Sequence, residues 1–216
     1  MTILLVRHGQ TTFNAEGRLQ GRVDAPLTRL GRAQARAMGL LVSRTIAETP
    51  GAWRLVSSPL GRALETAAYI RAATGLEVEV DARLAEVSFG PWDGRLREDL
   101  LAAHPHATGP GAHLFLSPEA ESFEAVAARM TSFLQERAGT PGEGLVLVSH
   151  GVAGRVLRGI YAGLSRDETL AQEAPQDALF RLRSGAVERL EPDQSLSRTA
   201  ASATPAAAPS RKAPAM

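Results

Sequence analysis

Two histidines and two arginines in this sequence each follow a short apolar run, either at once or within one helical turn. They are Arg7, His8, Arg62 and His150. Arginine offers a rigid, permanently charged fork that can bind two phosphate oxygens at once. A neutral imidazole nitrogen can attack phosphorus and hold the phosphoryl group in a covalent intermediate. These residue types together indicate phosphoryl transfer from a substrate with several anionic oxygens.

The two histidines can take different parts in such a transfer. We expect His8 to be the nucleophile, since the surrounding positive charge disfavours its imidazolium form and keeps the attacking nitrogen free. His150 can hydrogen-bond the transferring phosphoryl oxygens as their charge develops. The leaving oxygen needs a proton, and Glu86 is the best candidate for the acid that provides it. Other carboxylates near it in the sequence are Asp81, Asp93 and Glu98.

Hydrophobic periodicity predicts the strands that must position these residues. The alternating run Leu76–Val80 is typical of a half-exposed or edge strand, and the last two predicted strands form an antiparallel pair turning at Ser184–Gly185. The predicted strands are Ile3–Val6, Trp53–Ser57, Leu76–Val80, Leu145–Ser149, Ala178–Leu182 and Ala186–Leu190.

Helices are predicted between these strands from caps and from apolar residues at helical spacing. Thr28 is expected to cap the first helix, and Ser58 the second, with Pro59 in the first helical position. The first helix has an apolar series at Leu30, Ala33, Ala37, Leu40 and Leu41. The helices are predicted from Thr28 to about Ala47, after Ser58, near Arg97–Ala103, over Glu119–Arg137 and over Gly151–Ala162. Arg7–Ala25 and the rest of Asp81–Pro118 are expected to be irregular.

Strands that alternate with helices indicate an α/β fold, a three-layer α/β/α sandwich with a mostly parallel central sheet in a single domain. In such sheets ligands bind beyond the carboxyl ends of the strands. The loops at Arg7–Gly9, at Ser57–Pro59 with Arg62, and at Ser149–Gly151 should therefore meet in one pocket. The helix N-termini at Pro59 and Gly151 are expected to add backbone N–H donors for the phosphate.

Composition narrows the remaining classes of protein and site. A formal net charge of +1 provides no field for binding nucleic acid, and the absence of cysteine excludes disulfides, zinc-thiolate sites and thiol nucleophiles. No metal site is expected, because the loop histidines His104, His106 and His113 lack acidic or cysteine partners at ligand spacing. Neither a signal peptide nor a bilayer-spanning apolar run is recognised, so we expect a cytoplasmic protein without a membrane partner.

The composition also divides the chain near its end. Residues 1–191 have the periodicity of a folded catalytic domain. Residues 192–216 are rich in Ala, Pro, Ser and Thr and nearly lack large apolar side chains. Such a segment cannot bury enough surface to fold by itself, so a disordered tail is predicted there.

The sequence resembles the histidine phosphatase superfamily, in its phosphoglycerate-mutase-like branch. The similarity is an ordered set of motifs at matching spacing, which extends from residue 1 to about 190. The matching positions are Leu5–Thr11, Asn14, Gln20–Gly21, Asp24–Thr28, Gly31, Gln34–Ala35, Ser57–Ala63, Thr66–Ala67, Glu86, Gly90, Trp92, Gly94, Glu121–Ser122 and Val146–Gly151.

The resemblance implies that His8 is the phosphorylated nucleophile and Glu86 the proton donor, with Arg7, Arg62 and His150 completing the phosphate pocket. The expected substrate-binding residues are Arg7, Asn14, Gln20, Gly21, Arg62, His150 and Gly151. It implies a small phosphorylated molecule as substrate and neither a metal nor an organic cofactor. A homodimer is plausible by the same resemblance.

Two departures bear on the reaction that the resemblance implies. Mutases of this branch usually carry an adjacent arginine pair for the substrate carboxylate in a longer middle segment, and Arg95–Glu121 has no such pair. They also tend to carry Asn where this chain has Val152. We therefore expect a phosphatase that hydrolyses phosphate monoesters. A cofactor-dependent phosphoglycerate mutase is the alternative within the enzymes, and a non-catalytic phospho-ligand binding module is the alternative outside them.

Overall fold

A central strand organises the sheet of this protein, whose computed structural model describes residues 1–137 and 143–192. Strand β4 lies between β1 and β2 and is parallel to both. The order across the sheet is β3-β2-β4-β1-β5-β6; β3 is parallel to β2, while β5 is antiparallel to both β1 and β6. The strands are β1 (Thr2–Arg7), β2 (Ala52–Ser57), β3 (Val78–Val80), β4 (Glu143–Ser149), β5 (Leu179–Arg183) and β6 (Ala186–Leu190).

Helices cover both faces of this sheet. The α-helices of the described residues are α1 (Thr12–Ala15), α2 (Arg29–Ala47), α3 (Gly61–Thr74), α4 (Arg97–Ala103), α5 (Phe123–Arg137), α6 (Gly151–Ala162) and α7 (Arg166–Ala171). None of them combines the length and apolar character needed to cross a bilayer. Single 3₁₀ turns at Ala82–Leu84, Gly90–Trp92 and Ala112–Phe115 interrupt the long segment between β3 and α5.

Alternate side chains of the buried strands pack into two separate hydrophobic cores, one on each face of the sheet. Leu4 and Val6 of β1 pack with α2 and α3, where Met38 and Ile70 are completely or almost completely buried. Ile3 and Leu5 point to the opposite face, where Met130 and Phe133 of α5 and Val156 and Leu157 of α6 enclose them. Because β1 and β4 are buried on both faces, each appears in the sequence as a continuous apolar run. The predicted three-layer α/β/α sandwich is confirmed.

The antiparallel pair β5–β6 is also confirmed, and its turn has a clear local cause. Ser184 and Gly185 have φ angles of 51° and 80°, so both central residues occupy the left-handed region. Two-residue hairpin loops favour this conformation because it matches the twist of the flanking strands. The short strand β3 lies at the other edge of the sheet, where the alternating run predicted it.

Several predicted helix details differ from the structure. The predicted apolar series of α2 is right at Leu41, which is buried, and wrong at Leu30 and Leu40, which are exposed. The rest of the buried face is formed by Ala35, Met38 and Val42. Helix α5 begins at Phe123 rather than at Glu119. Thr28 caps α2 as predicted, its hydroxyl accepting a hydrogen bond from the Gly31 amide. The sequence did not predict α1 or α7, which have four and six residues and therefore show little periodicity.

The predicted division of the chain stays a prediction. Only Pro192 of the proposed tail at 192–216 lies within the described residues; positions 193–216 lie outside them.

Candidate active site

A cleft of about 720 Å³ opens at the carboxyl ends of the parallel strands. The register aligns Arg7 of β1 with Ser149 of β4, and Ser57 of β2 with Val148, so these strand ends share one edge. Most residues predicted for the site line this cleft, namely Arg7, His8, Asn14, Gln20, Gly21, Arg62, Glu86 and Gly151. His150 lies against His8, with ring centroids 5.1 Å apart and the planes tilted by 55°. The structure therefore brings all nine predicted residues together.

The two ring nitrogens of His8 have different surroundings. Nδ1 lies 2.8 Å from the Gly9 carbonyl oxygen. A carbonyl can only accept, so this contact requires a proton on Nδ1 and leaves a lone pair on Nε2 in the neutral ring. The Arg62 Nε–H group donates to that Nε2 atom at 3.3 Å. Nε2 is thus the unprotonated nitrogen and faces a guanidinium.

Burial and charge keep the His8 ring neutral. Only 2% of His8 is exposed, and burial lowers its pKa well below the ordinary value of 6.5. The positive charges of Arg7 and Arg62 lower this pKa further, while the bond to the Gly9 carbonyl acts in the opposite direction. The expected effect of the arginines is present, but desolvation is the larger cause.

The loop that carries His8 is fixed from two sides. The Gly9 amide donates to the Thr66 hydroxyl of α3 at 3.1 Å. On the other side, Gly9 and Gly31 bring two backbones into contact. A methyl group on Gly9 would lie 2.2 Å from the Gly31 carbonyl oxygen, and one on Gly31 would lie 2.0 Å from that of Gln10. Only glycine permits this approach of the loop to the start of α2.

His150 is almost fully buried, and its ring is oriented by a serine. Its Nε2 atom lies 2.7 Å from the Ser58 hydroxyl oxygen, and that oxygen accepts a hydrogen bond from the Leu60 amide at 3.2 Å. Its Nδ1 atom has no hydrogen-bond partner among residues 1–137 and 143–192. Burial, followed by the nearby His8 and Arg62, lowers the pKa of His150 well below the ordinary range. His150 therefore brings a neutral ring with an unused nitrogen to the site.

Arg62 holds the rim of the cleft as well as facing His8. Its Nη2 donates to the Gly21 carbonyl at 2.7 Å, and Nη1 donates to the Val23 carbonyl at 3.0 Å and to the Asp24 carboxylate at 3.1 Å. Together with the bond to His8, these contacts use four of the five guanidinium N–H groups. One N–H group of Arg62 therefore stays without a partner among the described residues, and the role of Arg62 in binding phosphate stays a prediction.

The helix that carries Arg62 is capped from another segment. The Gly61 amide donates to Asp24 Oδ2 at 2.7 Å, and the Arg62 amide to Asp24 Oδ1 at 3.5 Å. The N-cap of α3 is Leu60, which has no side-chain cap bond, so the prediction of Ser58 as the cap was wrong. A carboxylate suits this position because the exposed amides and the helix dipole are both positive there. The first amides of α3 therefore bind the Asp24 carboxylate instead of being open to a phosphate.

Glu86 occupies the start of α6 in the same way. Its Oε1 accepts from the Val87 and Ala153 amides at 3.0 and 2.9 Å, and its Oε2 accepts from the Val152 amide at 3.2 Å. The Val152 and Ala153 amides are therefore occupied by Glu86, and phosphate binding by the Gly151 amide stays a prediction. Glu86 lines the cleft, and its Oε2 accepts from one amide whereas its Oε1 accepts from two.

Arg7 is the more available of the two predicted arginines. Its Nη1 donates to the Ala174 carbonyl, and its buried Nε has no partner within the described chain. Burial lowers the Arg7 pKa to about 10, and the charge of Glu86 opposes this shift. The guanidinium stays charged at neutral pH and has unused donors beside His8.

The predicted rim residues have distinct contacts. Gln20 is buried; its Oε1 accepts from the Thr11 hydroxyl at 2.9 Å, while its Nε2 has no partner among the described residues. Asn14 accepts from Gln176 Nε2 at 2.9 Å. Gly21 is required for packing, because a methyl group there would lie 1.7 Å from the Asp93 carboxylate. Gln20 thus offers a donor to the cleft, whereas Gly21 shapes it.

Sequence reasoning missed several cleft residues. Gln176 donates to the His8 carbonyl at 3.2 Å, and the neighbouring Ala174 carbonyl binds Arg7. No local sequence pattern predicts that Ala174 and Gln176 form part of the cleft. Arg155 follows Gly151 by one turn of the predicted helix, and that spacing could have identified it. The basic residues that line the outer part of the cleft are Arg18, Arg97, His113 and Arg155.

Comparison with known proteins shows the family of this chain. The model of the histidine phosphatase superfamily, branch 1, matches residues 3–185. The chain belongs to the histidine phosphatase superfamily.

Individual relatives of this histidine phosphatase family member include both mutase and phosphatase names. A probable phosphoglycerate mutase, GpmB, of Citrobacter koseri is 32% identical over 200 residues, which cover 91% of this chain and 87% of that protein. The solved structure of YhfR from Bacillus stearothermophilus shares 29% identity, covers 88% of this chain and 95% of its own, and has a TM-score of 0.72.

A mycobacterial glucosyl-3-phosphoglycerate phosphatase, solved as a complex with VO3, shares 29% identity and has a TM-score of 0.67. It is matched over 88% of this chain and 96% of its own. Membership therefore makes this chain an enzyme of a superfamily whose chemistry is that of phosphatases or mutases.

Within the part of the chain that the structure describes, no group of three His, Asp or Glu side chains is arranged to hold a metal ion. His104 instead packs edge-on against Trp92, with ring centroids 6.0 Å apart, and His113 lines the cleft.

Proposed function

We propose that this histidine phosphatase family member hydrolyses phosphate monoesters through a phosphohistidine intermediate on Nε2 of His8. The observation that carries the proposal is the state of that ring. Nδ1–H is held by the Gly9 carbonyl, the pKa is depressed, and the Nε2 lone pair is directed at Arg62 inside a cleft. A neutral nitrogen surrounded by arginines suits attack on an anionic phosphoryl group.

In the first half-reaction, the Nε2 lone pair of His8 attacks phosphorus. The bond from phosphorus to the leaving oxygen breaks, and that oxygen keeps the electron pair and takes the proton of Glu86, leaving as an alcohol. Arg7 and Gln20 have unused donors for the equatorial phosphoryl oxygens, and His150 can donate once a phosphoryl group is present. The Gly9 carbonyl stabilises the positive charge of the phosphorylated ring.

The second half-reaction returns the enzyme to its starting state. Water attacks phosphorus and gives one proton to the Glu86 carboxylate, while the N–P bond breaks and its electrons return to Nε2. The product is inorganic phosphate. All steps use groups of this chain and water, and no metal or organic cofactor enters them.

A mutase is the second candidate, in which the phosphoryl group returns to a bound substrate instead of passing to water. The 32% identity to a probable phosphoglycerate mutase favours it. The absence of an adjacent arginine pair is weaker support for a phosphatase than the sequence suggested, because Arg97 and Arg155 from separate helices line the same cleft. Supplying a phosphorylated three-carbon acid and measuring released phosphate against isomerised product distinguishes the two reactions.

Replacement of His8 tests the proposal and separates an enzyme from a non-catalytic binding module. We expect His8→Ala to abolish hydrolysis of an aryl phosphate and to abolish acid-labile, base-stable labelling by a ³²P-labelled substrate. The exposed His106 provides the control, and His106→Ala should keep both signals. Aryl phosphate turnover by His8→Ala at the wild-type rate would overturn the mechanism, and absence of turnover in the wild type across a panel of monoesters would favour a binding module.

A further inference from the structure

Basic side chains extend well beyond the catalytic histidine in this cleft. Arg97 of α4, Arg155 of α6 and His113 of a 3₁₀ turn line its outer part, and Glu86 is the one carboxylate among the lining residues of the described chain. A phosphoryl group bound at His8 would use Arg7. The outer cations are therefore more than one phosphate requires.

Arg97 and Arg155 differ from Arg62 and Arg18 of the same cleft in their partners. Arg62 is paired with Asp24, and Arg18 with Glu16 at 2.6 Å. Arg97 and Arg155 form no ion pair with any described residue. The guanidinium of Arg155 makes one long contact, from Nη1 to the Leu170 carbonyl at 3.5 Å, and its buried Nε has no partner in the described chain. Arg97 is exposed, whereas Arg155 is partly buried, and an unpaired, partly buried guanidinium is costly unless an anion joins it.

The backbone at both arginines is held in place, although their guanidinium groups form no ion pair with a described residue. The Arg97 amide donates to the Gly17 carbonyl at 3.0 Å, and a bridge between Arg18 and Leu96 ties the start of α4 to the rim. Arg155 follows Val152 by three residues and Ala153 by two, and the amides of those two residues bind Glu86. It is one helical turn from Gly151, which is about 6 Å along the axis.

His113 contributes a neutral hydrogen-bonding group to the same place. Burial lowers the His113 pKa, and the charges of Arg97 and Arg155 lower it further. All three side chains line the cleft that also contains Arg7 and Glu86, so they face a common space next to the inner site. Arg155 also interacts electrostatically with Glu86 and Arg7.

We propose that Arg97 and Arg155, assisted by His113, form a second anion subsite, so that the preferred substrates are phosphomonoesters carrying a further anionic group. This inference rests on the proposed function for its reaction, but the subsite is a separate binding claim. Either a carboxylate or a second phosphate has the required oxygens, since a guanidinium binds both in pairs.

Isosteric substrates test the subsite. We compare 3-carboxyphenyl phosphate, 3-carbamoylphenyl phosphate and a phenylene bisphosphate by kcat/KM. The amide matches the carboxylate in shape but carries no charge. We expect the wild type to favour at least one anionic compound over the amide by about tenfold, the lower end for a charge-assisted hydrogen bond. Preference for the carboxylate or for the bisphosphate then identifies the class of the second anion.

Variants assign the preference to the two arginines. Arg155→Met and Arg97→Met should each lose most of the preference for the charged compound over the amide, mainly through KM. Arg155→Lys should restore part of it. Arg95→Met is the matched control, because Arg95 is two residues from Arg97, stacks on Trp92 and does not line the cleft.

The outcomes separate the subsite from the reaction. Equal kcat/KM for the charged and neutral compounds, with phenyl phosphate still hydrolysed, overturns the subsite and leaves the proposed function intact. If no compound is hydrolysed, calorimetry with 3-carboxyphenyl and 3-carbamoylphenyl methylphosphonates decides. Tighter binding of the carboxylate by wild type, lost in Arg155→Met, supports the subsite, and equal binding overturns it.

Discussion

At the scale of single residues, the reactivity of this site depends on how few hydrogen bonds the key atoms make. His8 Nε2, His150 Nδ1, Gln20 Nε2 and Arg7 Nε lie in or beside the cleft with a lone pair or N–H group that is free or contacts only Arg62. Buried polar atoms without partners are rare in proteins, because each costs free energy. Their concentration here indicates a site preorganised for an anionic ligand.

A test of Glu86 belongs at the same scale. Glu86→Gln keeps an oxygen that can accept from the α6 amides but removes the proton that a leaving group needs. We expect kcat for an alkyl phosphate to fall by about 10²–10⁴-fold, the range for loss of a general acid. An aryl phosphate with a strongly acidic leaving group should lose much less.

The exposed carboxylate Glu98 provides the control for that test, and Glu98→Gln should change neither rate. If Glu86→Gln slowed both substrates equally, Glu86 would position α6 rather than transfer a proton.

The sequence predicted the residues of this site better than their bonding. Each of Arg7, His8 and His150 follows a strand whose apolar run is unmistakable, so their meeting could be inferred. The hydrogen bonds that occupy the Arg62 guanidinium could not be inferred, because three of its acceptors lie 38 to 41 residues away in an irregular segment. Local periodicity carries no information about such pairs.

At the scale of elements, the contact of the His8 loop with α2 is a place where one methyl group matters. Gly31→Ala should push the Gln10 carbonyl and with it the loop that orients His8. We expect a loss of stability of about 1–3 kcal/mol, as for other overpacked sites, together with a lower kcat. Thermal melts and aryl phosphate kinetics measure the two effects.

Gly154 in α6 is the matched control for this prediction. A methyl group there would meet Leu5 Cδ2 at an ordinary 3.7 Å. Gly154→Ala should therefore be neutral or stabilising by up to about 1 kcal/mol, as helix propensity favours alanine. A Gly31→Ala variant with wild-type stability and rate would show that the loop relaxes freely.

Helix starts show the limit of local signals at this scale. Thr28 was predicted correctly as a cap because its hydroxyl reaches an amide three residues ahead. The caps of α3 and α6 come from Asp24 and Glu86, which are 37 and about 66 residues away from the amides they bind. Ser58 has the right side chain for a cap, but its hydroxyl contacts His150 instead.

At the scale of the whole molecule, the buried histidines link stability to pH. The pKa values of His8 and His150 in the folded protein lie below the ordinary 6.5, so the unfolded chain binds protons first as the solution is acidified. Their neutral burial is therefore favourable above pH 6.5, and stability falls as the pH drops below that value. Each histidine contributes a slope of up to about 1.4 kcal/mol per pH unit.

Denaturant unfolding at pH 7.5, 6.5 and 5.5 measures this slope. His8→Gln should lose less stability than the wild type between pH 6.5 and 5.5, since one of the buried imidazoles is gone. His106→Gln replaces an exposed histidine and should keep the wild-type slope. Parallel curves for His8→Gln and the wild type would contradict the assignment.

The fold class was predictable at this scale because the α/β alternation is present in the sequence itself. The part of the cleft formed by residues 172–176 could not be predicted, since Gln176 contacts His8 across 168 positions and follows no periodic pattern. A cytoplasmic location, a homodimer and the absence of nucleic-acid and membrane partners stay predictions from composition and resemblance.

The position of β4 has a consequence for how this chain can fold during synthesis. The strands β1 and β2 do not pair with each other, and each pairs with β4, which begins only at Glu143. While the first 137 residues emerge from the ribosome, these apolar strands lack their common neighbour. Pairing of β1 with β4 closes a loop of more than 130 residues, which makes that pairing slow. Until β4 has been translated, β1 has neither of its neighbours and β2 has only the short strand β3 beside it, and that interval is when a chaperone would have most to protect.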